Sequence, residues 1–326
     1  MKNLRYICVQ PRIKYYAWQV EVVIHNFLKL GINLNNLDIL VATNPSDNTS
    51  SEENIAMWRK LADTYNYVRF FFYDDTRPVK NYIPSVYFNI LKQHIKAYPE
   101  LENEALFLFD CDTIFTRPLD LSEMVNDDKW YLSDTVGYIG HQYIKTKVQP
   151  GYDVYKGMCD IVGIDPLIPK LLNSNSGGAQ HLVKNTTYEY WDKVERDSIE
   201  IYKYFNLIEP DYVKANDGDY PIQKWTAGMW SLLWNAWLFE HETVVDKRLD
   251  FCWATDPIEY WDQRAIYHNA GVTCSCGGNF YKGAYINDLP YGHDLRIRDN
   301  KCNYKYYQEI KDVETKSCLL EWSSTK

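Results

Sequence analysis

The sequence predicts an α/β fold with a mostly parallel central sheet flanked by helices. Three observations carry this. Strand and helix patterns alternate through the first third of the chain. Helix-start and helix-stop residues punctuate the alternation. The chain of 326 residues, 46% hydrophobic and 24% charged, is ordinary globular material long enough for a full core.

Tyr6–Gln10 reads as the first strand, followed by an amphipathic helix over Tyr16–Leu30 that Gly31 closes. Leu37–Ala42 is a second strand. Glu52–Thr64 is a helix, capped by Ser50 or Ser51 and opened by acids. Val68–Tyr73 is a third strand, Pro84–Tyr98 a helix with proline in its first turn, and Ala105–Phe109 a fourth strand. Beyond Pro118 the rhythm loosens. Tyr152–Gly163, Thr187–Phe205 and Gln223–Glu240 read as helices, and Lys301–Gln308 opens a last one. Asn173–Asn185 reads as a turn entering a buried segment, and the chain from Tyr267 is loop-like. No repeat or linker appears, so one domain spanning 1–326, with halves at 1–118 and 119–326, is the expectation.

The net charge of −9 argues against a general nucleic-acid binder. No apolar run reaches the ~20 residues of a membrane span, and that of MKNLRYICVQP is too short for a signal peptide. A cytoplasmic protein with eight reduced thiols is therefore expected. Cys274, Cys276, Cys302 and His293 fit no common zinc spacing. Trp230, Trp234 and Trp237 share one side of a helix and read as core before sugar platform.

Chemistry concentrates in ALFLFDCDTIFTRPLDL, Ala105–Leu121. Ligands of parallel sheets bind outside the carboxyl ends of the strands, where Asp110 and Asp112 fall. In an extended chain the two carboxylates share a side, and together they invite a hard divalent cation. The bland alternative is a pair of turn residues. Two enzyme classes use such a pair. A haloacid-dehalogenase-type phosphatase would attack phosphorus with Asp110, but no downstream lysine and paired acids follow convincingly. A nucleotide-sugar transferase would hold a metal–diphosphate.

Leu106–Leu121 resembles the Asp-x-Asp segment of GT-A-fold glycosyltransferases, including the hydroxyproline arabinosyltransferase and peptidyl-serine galactosyltransferase-like group. Asn175–Asp197 is similar to their small-residue turn and helix, and IYHNAG, Ile266–Gly271, to their late histidine segment. The resemblance implies a GT-A fold in which 1–118 binds the nucleotide-sugar and 119–326 binds the acceptor and completes the metal site. It implies Asp110, Asp112 and His268 as metal ligands, with Mn²⁺ or Mg²⁺ as the ion. Asn269, Gly271 and Lys282 would then approach the diphosphate, and Val9, Gln10, Tyr15 and Tyr16 the base and ribose. Asp74 or Asp75 would reach the ribose hydroxyls. Gly177, Gly178 and Gln180 would face the donor sugar, although a tight turn also explains those glycines. Asp219 is favoured over Asp217 as the acid that bonds a sugar hydroxyl or serves as base, with Glu240 a weaker choice and an Asx-turn the plain alternative.

The implied activity is transfer of a hexose or pentose from a nucleotide-sugar, a UDP-sugar first, to an acceptor hydroxyl in a bacterial or virus-infected cell. The acceptor is a glycan, a protein side chain or a modified nucleobase, with DNA not favoured. The phosphatase and a non-catalytic sugar-binding protein are the alternatives.

Overall fold

The structure, a computed structural model, describes residues 2–44, 50–148, 150–219 and 221–324. Asn48, which with Asn185 begins one of the two Asn-x-Ser/Thr glycosylation sequons of the sequence, lies outside them. The strands are β1 (Leu4–Pro11), β2 (Leu37–Thr43), β3 (Arg69–Asp74), β4 (Ala105–Leu108), β5 (Thr113–Phe115), β6 (Trp130–Asp134), β7 (Gly177–Lys184), β8 (Thr243–Val245), β9 (Phe251–Trp253) and β10 (Ile266–His268). The first three helices are α1 (Lys14–Lys29), α2 (Glu52–Thr64) and α3 (Ser85–Ala97). Four short ones, α4 (Ser122–Val125), α5 (Val136–Ile139), α6 (His141–Thr146) and α8 (Leu167–Leu171), surround α7 (Val154–Val162). Then come α9 (Tyr188–Ala215), α10 (Ala227–Leu238), α11 (Glu259–Gln263) and α12 (Cys302–Glu314).

Seven strands form one sheet in the order β3-β2-β1-β4-β7-β6-β8, and β5-β10-β9 form a second. The large sheet is mostly parallel. β1, β2 and β3 pair in parallel, as do β6 and β8, whereas β6 and β7 pair antiparallel. This is the α/β class the alternation predicts.

The chain divides into two compact units, each assembled from separated stretches. One takes residues 1–4, 76–107 and 122–249; the other takes 5–75, 108–121 and 250–326. The first has a core of aromatic rings, with Trp130, Trp191, Trp230 and Trp234 fully buried. Trp230, Trp234 and Trp237 pack in this core, as their spacing predicts. The second buries Trp18, Trp58, Tyr267, Tyr291 and Tyr306.

Local signals explain most boundaries. Ser51 Oγ accepts from Asn54 N at 3.2 Å to cap α2, and Glu52 and Glu53 follow in its first turn. Asp153 caps α7, and left-handed Gly163 (φ 76°) stops it. α9 differs from the predicted Thr187–Phe205: it runs on to Ala215 through Pro210. Proline removes one helix bond, but Ile208 and Tyr212, on either side of it, are buried and hold the last turns in place.

Candidate active site

The chain folds back at the end of β4. Thr113 N donates to Asp110 O at 2.9 Å, so Asp110, Cys111 and Asp112 form a turn into β5. The two carboxylates thus converge through a turn, not through the extended alternation the spacing suggests. The turn wins because the chain leaves the large sheet after β4 and enters the small one at β5. Cys111 and Asp112 are buried, whereas the Asp110 side chain is 53% exposed.

β10 pairs antiparallel with β5 and sets His268 opposite Thr113. Asn269 N also donates to Asp112 O at 2.8 Å. His268 Nε2 consequently lies 3.3 Å from Asp112 Oδ1 and 3.8 Å from Asp110 Oδ2. One donor atom from each of the three residues lies within 4.8 Å of the others. The Lys282 ammonium occupies the other side of Asp112 as an ion pair with Oδ2.

Between His268 and Lys282 runs a segment whose two ends are tied by a single buried side chain, Asn303 of α12. Asn303 Nδ2 donates to Asn269 Oδ1 at 3.2 Å and to Phe280 O at 3.1 Å, and its Oδ1 accepts from Phe280 N. The Tyr267 hydroxyl also donates to Asn269 Oδ1, at 2.8 Å. Gly271 sits in this segment with φ 85°, a left-handed conformation that favours glycine. A Cys274–Cys276 disulfide also lies there, which corrects the expectation of eight reduced thiols. Among the described residues, Thr113 Oγ1 and Asn269 Nδ2 are buried beside the cluster without hydrogen-bond partners.

The charges interlock. Burial opposes ionisation of Asp112, but Lys282 and His268 outweigh it and hold the carboxyl well below its ordinary value. Burial likewise opposes the imidazolium of His268, and the charge of Asp112 more than offsets it, raising His268. Asp110 is pushed up by desolvation and by the Asp112 charge, an effect that water tempers at its half-exposed side chain.

Other candidates share this unit. Val9 and Gln10 are buried at the end of β1, where Gln10 Nε2 donates to Cys8 Sγ at 3.6 Å. Tyr15 and Tyr16 open α1, half-buried, their rings edge to face at 4.8 Å. Burial first, and then the charges of Asp112 on Tyr15 and of Cys111 and Asp110 on Tyr16, push both phenols up. Asp74 accepts from Thr43 Oγ1 at 2.7 Å, a bond that closes the end of β3.

The remaining candidates belong to the other compact unit. Gly177 and Gly178 are strand residues of β7. A Cβ on Gly177 would meet Leu132 Cβ at 2.4 Å, and one on Gly178 would meet Met229 Cε at 2.5 Å. The contact at Gly177, with Leu132 and the Ser133 carbonyl of β6, requires a residue without a side chain, whereas the contact at Gly178 is with the flexible end of Met229. Gln180 is fully buried, and its N–H donates to Ser133 Oγ at 3.3 Å. Asp217 (φ 49°) and Asp219 lie in the exposed turn after α9, where Asp219 Oδ2 accepts from the Tyr212 hydroxyl at 3.0 Å. Glu240 is exposed with φ 63°.

Two features escaped the sequence. Nothing local marks Asn303 as the tie between Asn269 and Phe280. Lys282 is recognisable as a cation near the site, but its partner is set by the fold.

With this geometry the fold class is α/β of the GT-A type. No protein-family model matches the chain, and no curated protein matches it in sequence. Among solved structures, the apo bifunctional glycosyltransferase WbbM aligns over 99% of this chain at 9% identity, with a TM-score of 0.50. The alignment covers 52% of WbbM, so the chain spans about half of that protein. Mouse xyloside xylosyltransferase 1 aligns over 84% of this chain and 98% of its own, at 10% identity and a TM-score of 0.40. A glycosyltransferase involved in glycosylation of the major capsid of PBCV-1 aligns over 83% and 94%, at 11% identity and a TM-score of 0.36. The likeness to WbbM is one of fold, and the two lower-scoring structures add nothing to it.

Proposed function

We propose that the protein is a metal-dependent glycosyltransferase that moves a sugar from a nucleoside-diphosphate sugar to an acceptor hydroxyl. The convergence of Asp110, Asp112 and His268 within 4.8 Å, beyond the carboxyl end of β4, carries this reading.

The donor set fits a divalent ion: two carboxylates suit Mg²⁺ or Mn²⁺, and the imidazole inclines the choice to Mn²⁺. An ion held there would neutralise the departing diphosphate. Asp110, half-exposed, presents its carboxylate toward solvent, while buried Asp112 is paired with His268 through Oδ1 and with Lys282 through Oδ2. Lys282 places a second positive charge where phosphate oxygens would lie. Tyr15 and Tyr16 offer rings for the base, with Val9 and Gln10 beside them in the chain.

UDP is the proposed nucleotide. Gln180 near the donor sugar and Asp219, or Asp217, as general base are proposals that rest on the resemblance alone. A glycan, a protein side chain or a modified nucleobase is the acceptor, and the net charge of −9 leans against DNA.

The test is a thermal-shift panel of nucleoside diphosphates and nucleotide-sugars with Mn²⁺, Mg²⁺ or EDTA. A ligand that binds only the folded state stabilises it by about 2.7 kcal/mol at a hundredfold excess over its Kd. A nucleotide shift that needs the metal is expected. Phosphate trapped covalently on Asp110, with indifference to every nucleotide, would replace this reading with the phosphatase.

A further inference from the structure

We infer that Lys282 is a built-in counter-cation of the carboxylate cluster, which a divalent ion displaces on entry. This rests on the metal reading above and concerns how the site is regulated.

The argument starts from Asp112. It is 5% exposed, and a buried carboxylate must be paired. Both of its oxygens are engaged: Oδ1 faces His268 Nε2 at 3.3 Å, and Oδ2 is held by the Lys282 ammonium. A metal ligated by Asp110, Asp112 and His268 needs an oxygen of Asp112, and two cations sharing that carboxylate would repel each other. The ion would take Oδ1, the oxygen beside His268, and leave Lys282 on Oδ2 of the same carboxylate, so it is the repulsion between the two cations that favours release of the lysine.

The chain around Lys282 suits such a departure. Asn303 fixes Asn269 and Phe280, so the backbone is anchored on both sides of the intervening segment. Lys282 lies beyond that anchor, at the start of the short 3-10 turn Lys282–Tyr285. Its side chain is 26% exposed, against 7% for that of Asp112. The ammonium can thus leave by rotation about its own stem while the three ligands stay in place. A displaced ammonium at the rim of the cluster meets an incoming diphosphate, so metal and diphosphate bind with positive coupling.

Acetic anhydride labelling of Lys282, read by mass spectrometry on the full chain, tests this directly. Labelling is expected to be slow in EDTA, to rise at least fivefold with Mn²⁺ alone, and to fall again with Mn²⁺ and UDP together. Calorimetry is expected to show Lys282→Met binding Mn²⁺ about tenfold more tightly than wild type, with Lys282→Arg close to wild type. If wild type binds Mn²⁺ and the labelling of Lys282 does not change, the lysine stays in place and the inference is overturned, whatever the affinities. If Lys282→Met misfolds, the wild-type labelling still decides. If wild type binds no Mn²⁺, the metal reading itself fails, and this inference falls with it.

Discussion

His268 Nε2 stands 3.3 Å from Asp112 Oδ1 because β10 lies antiparallel to β5, with His268 opposite the residue that follows Asp112. The convergence of these side chains is therefore a product of strand register. Asp112→Asn keeps the volume and removes the charge. It is expected to abolish metal-dependent nucleotide stabilisation, a loss of about 2.7 kcal/mol at a hundredfold ligand excess. The far-UV circular dichroism should stay native. Normal donor binding by Asp112→Asn would sink the site assignment.

Asp38 is completely buried in β2 between two arginines. Arg5 reaches its oxygens at 2.7 and 2.9 Å, and Arg69, its partner in β3, at 2.6 and 2.8 Å. Fork-to-carboxylate pairs of this kind are strong when intact. Asp38→Asn leaves Arg5 buried without its counter-charge and is expected to cost about 3–5 kcal/mol. Urea unfolding measures this, and a change under about 1 kcal/mol would show that solvent reaches the pair.

Glu21 of α1 ties down the C-terminal segment. It is fully buried and accepts from the hydroxyls of Tyr65, Tyr291 and Ser317 at 3.0, 2.8 and 2.6 Å, and from Cys318 N at 2.9 Å. Glu21→Ala removes the shared acceptor of all four donors at once. A destabilisation on the order of 3 kcal/mol or more is expected, with faster amide exchange around Ser317 and Cys318 than in the central strands. Uniform loss of protection across the chain would mean that Glu21 serves the whole fold and not this segment.

His181 of β7 gives a pH signature. Burial lowers its imidazole from an ordinary 6.5 to about 4, and its Nε2 has no hydrogen-bond partner among the described residues. The unfolded chain takes up this proton as pH falls below about 6.5, whereas the folded chain refuses it until about 4. The contribution to stability is therefore complete above 6.5 and is lost as pH falls toward 4, at up to about 1.4 kcal/mol per unit. His181→Leu should flatten the pH dependence of the unfolding free energy in that window. An unchanged slope would show that other groups set it.

Much of the architecture was legible. β1 to β4 and the helices between them follow from apolar runs and caps, and their observed ends fall within two residues of those expected. The short strands β5, β9 and β10 were not legible, because three residues show no period and each is stabilised by its neighbours. The end of α9 was missed because burial of Ile208 and Tyr212 overrode a local proline signal. The sequence could not show that Leu132 of the neighbouring strand packs where a side chain at Gly177 would lie, because that contact is set by strand pairing.

The sequence by itself determined the α/β class, the strand that ends at the two aspartates, and the presence of a late histidine and lysine as candidates. These depend on periodicity, capping and residue chemistry, all of which act over a few positions. Only the tertiary structure decided that Asp110 and Asp112 meet through a turn, that His268 faces one oxygen of Asp112 and Lys282 the other, and that Asn303 anchors the segment between them. Those relationships depend on pairing between distant strands, where one step of register exchanges the two faces of a strand.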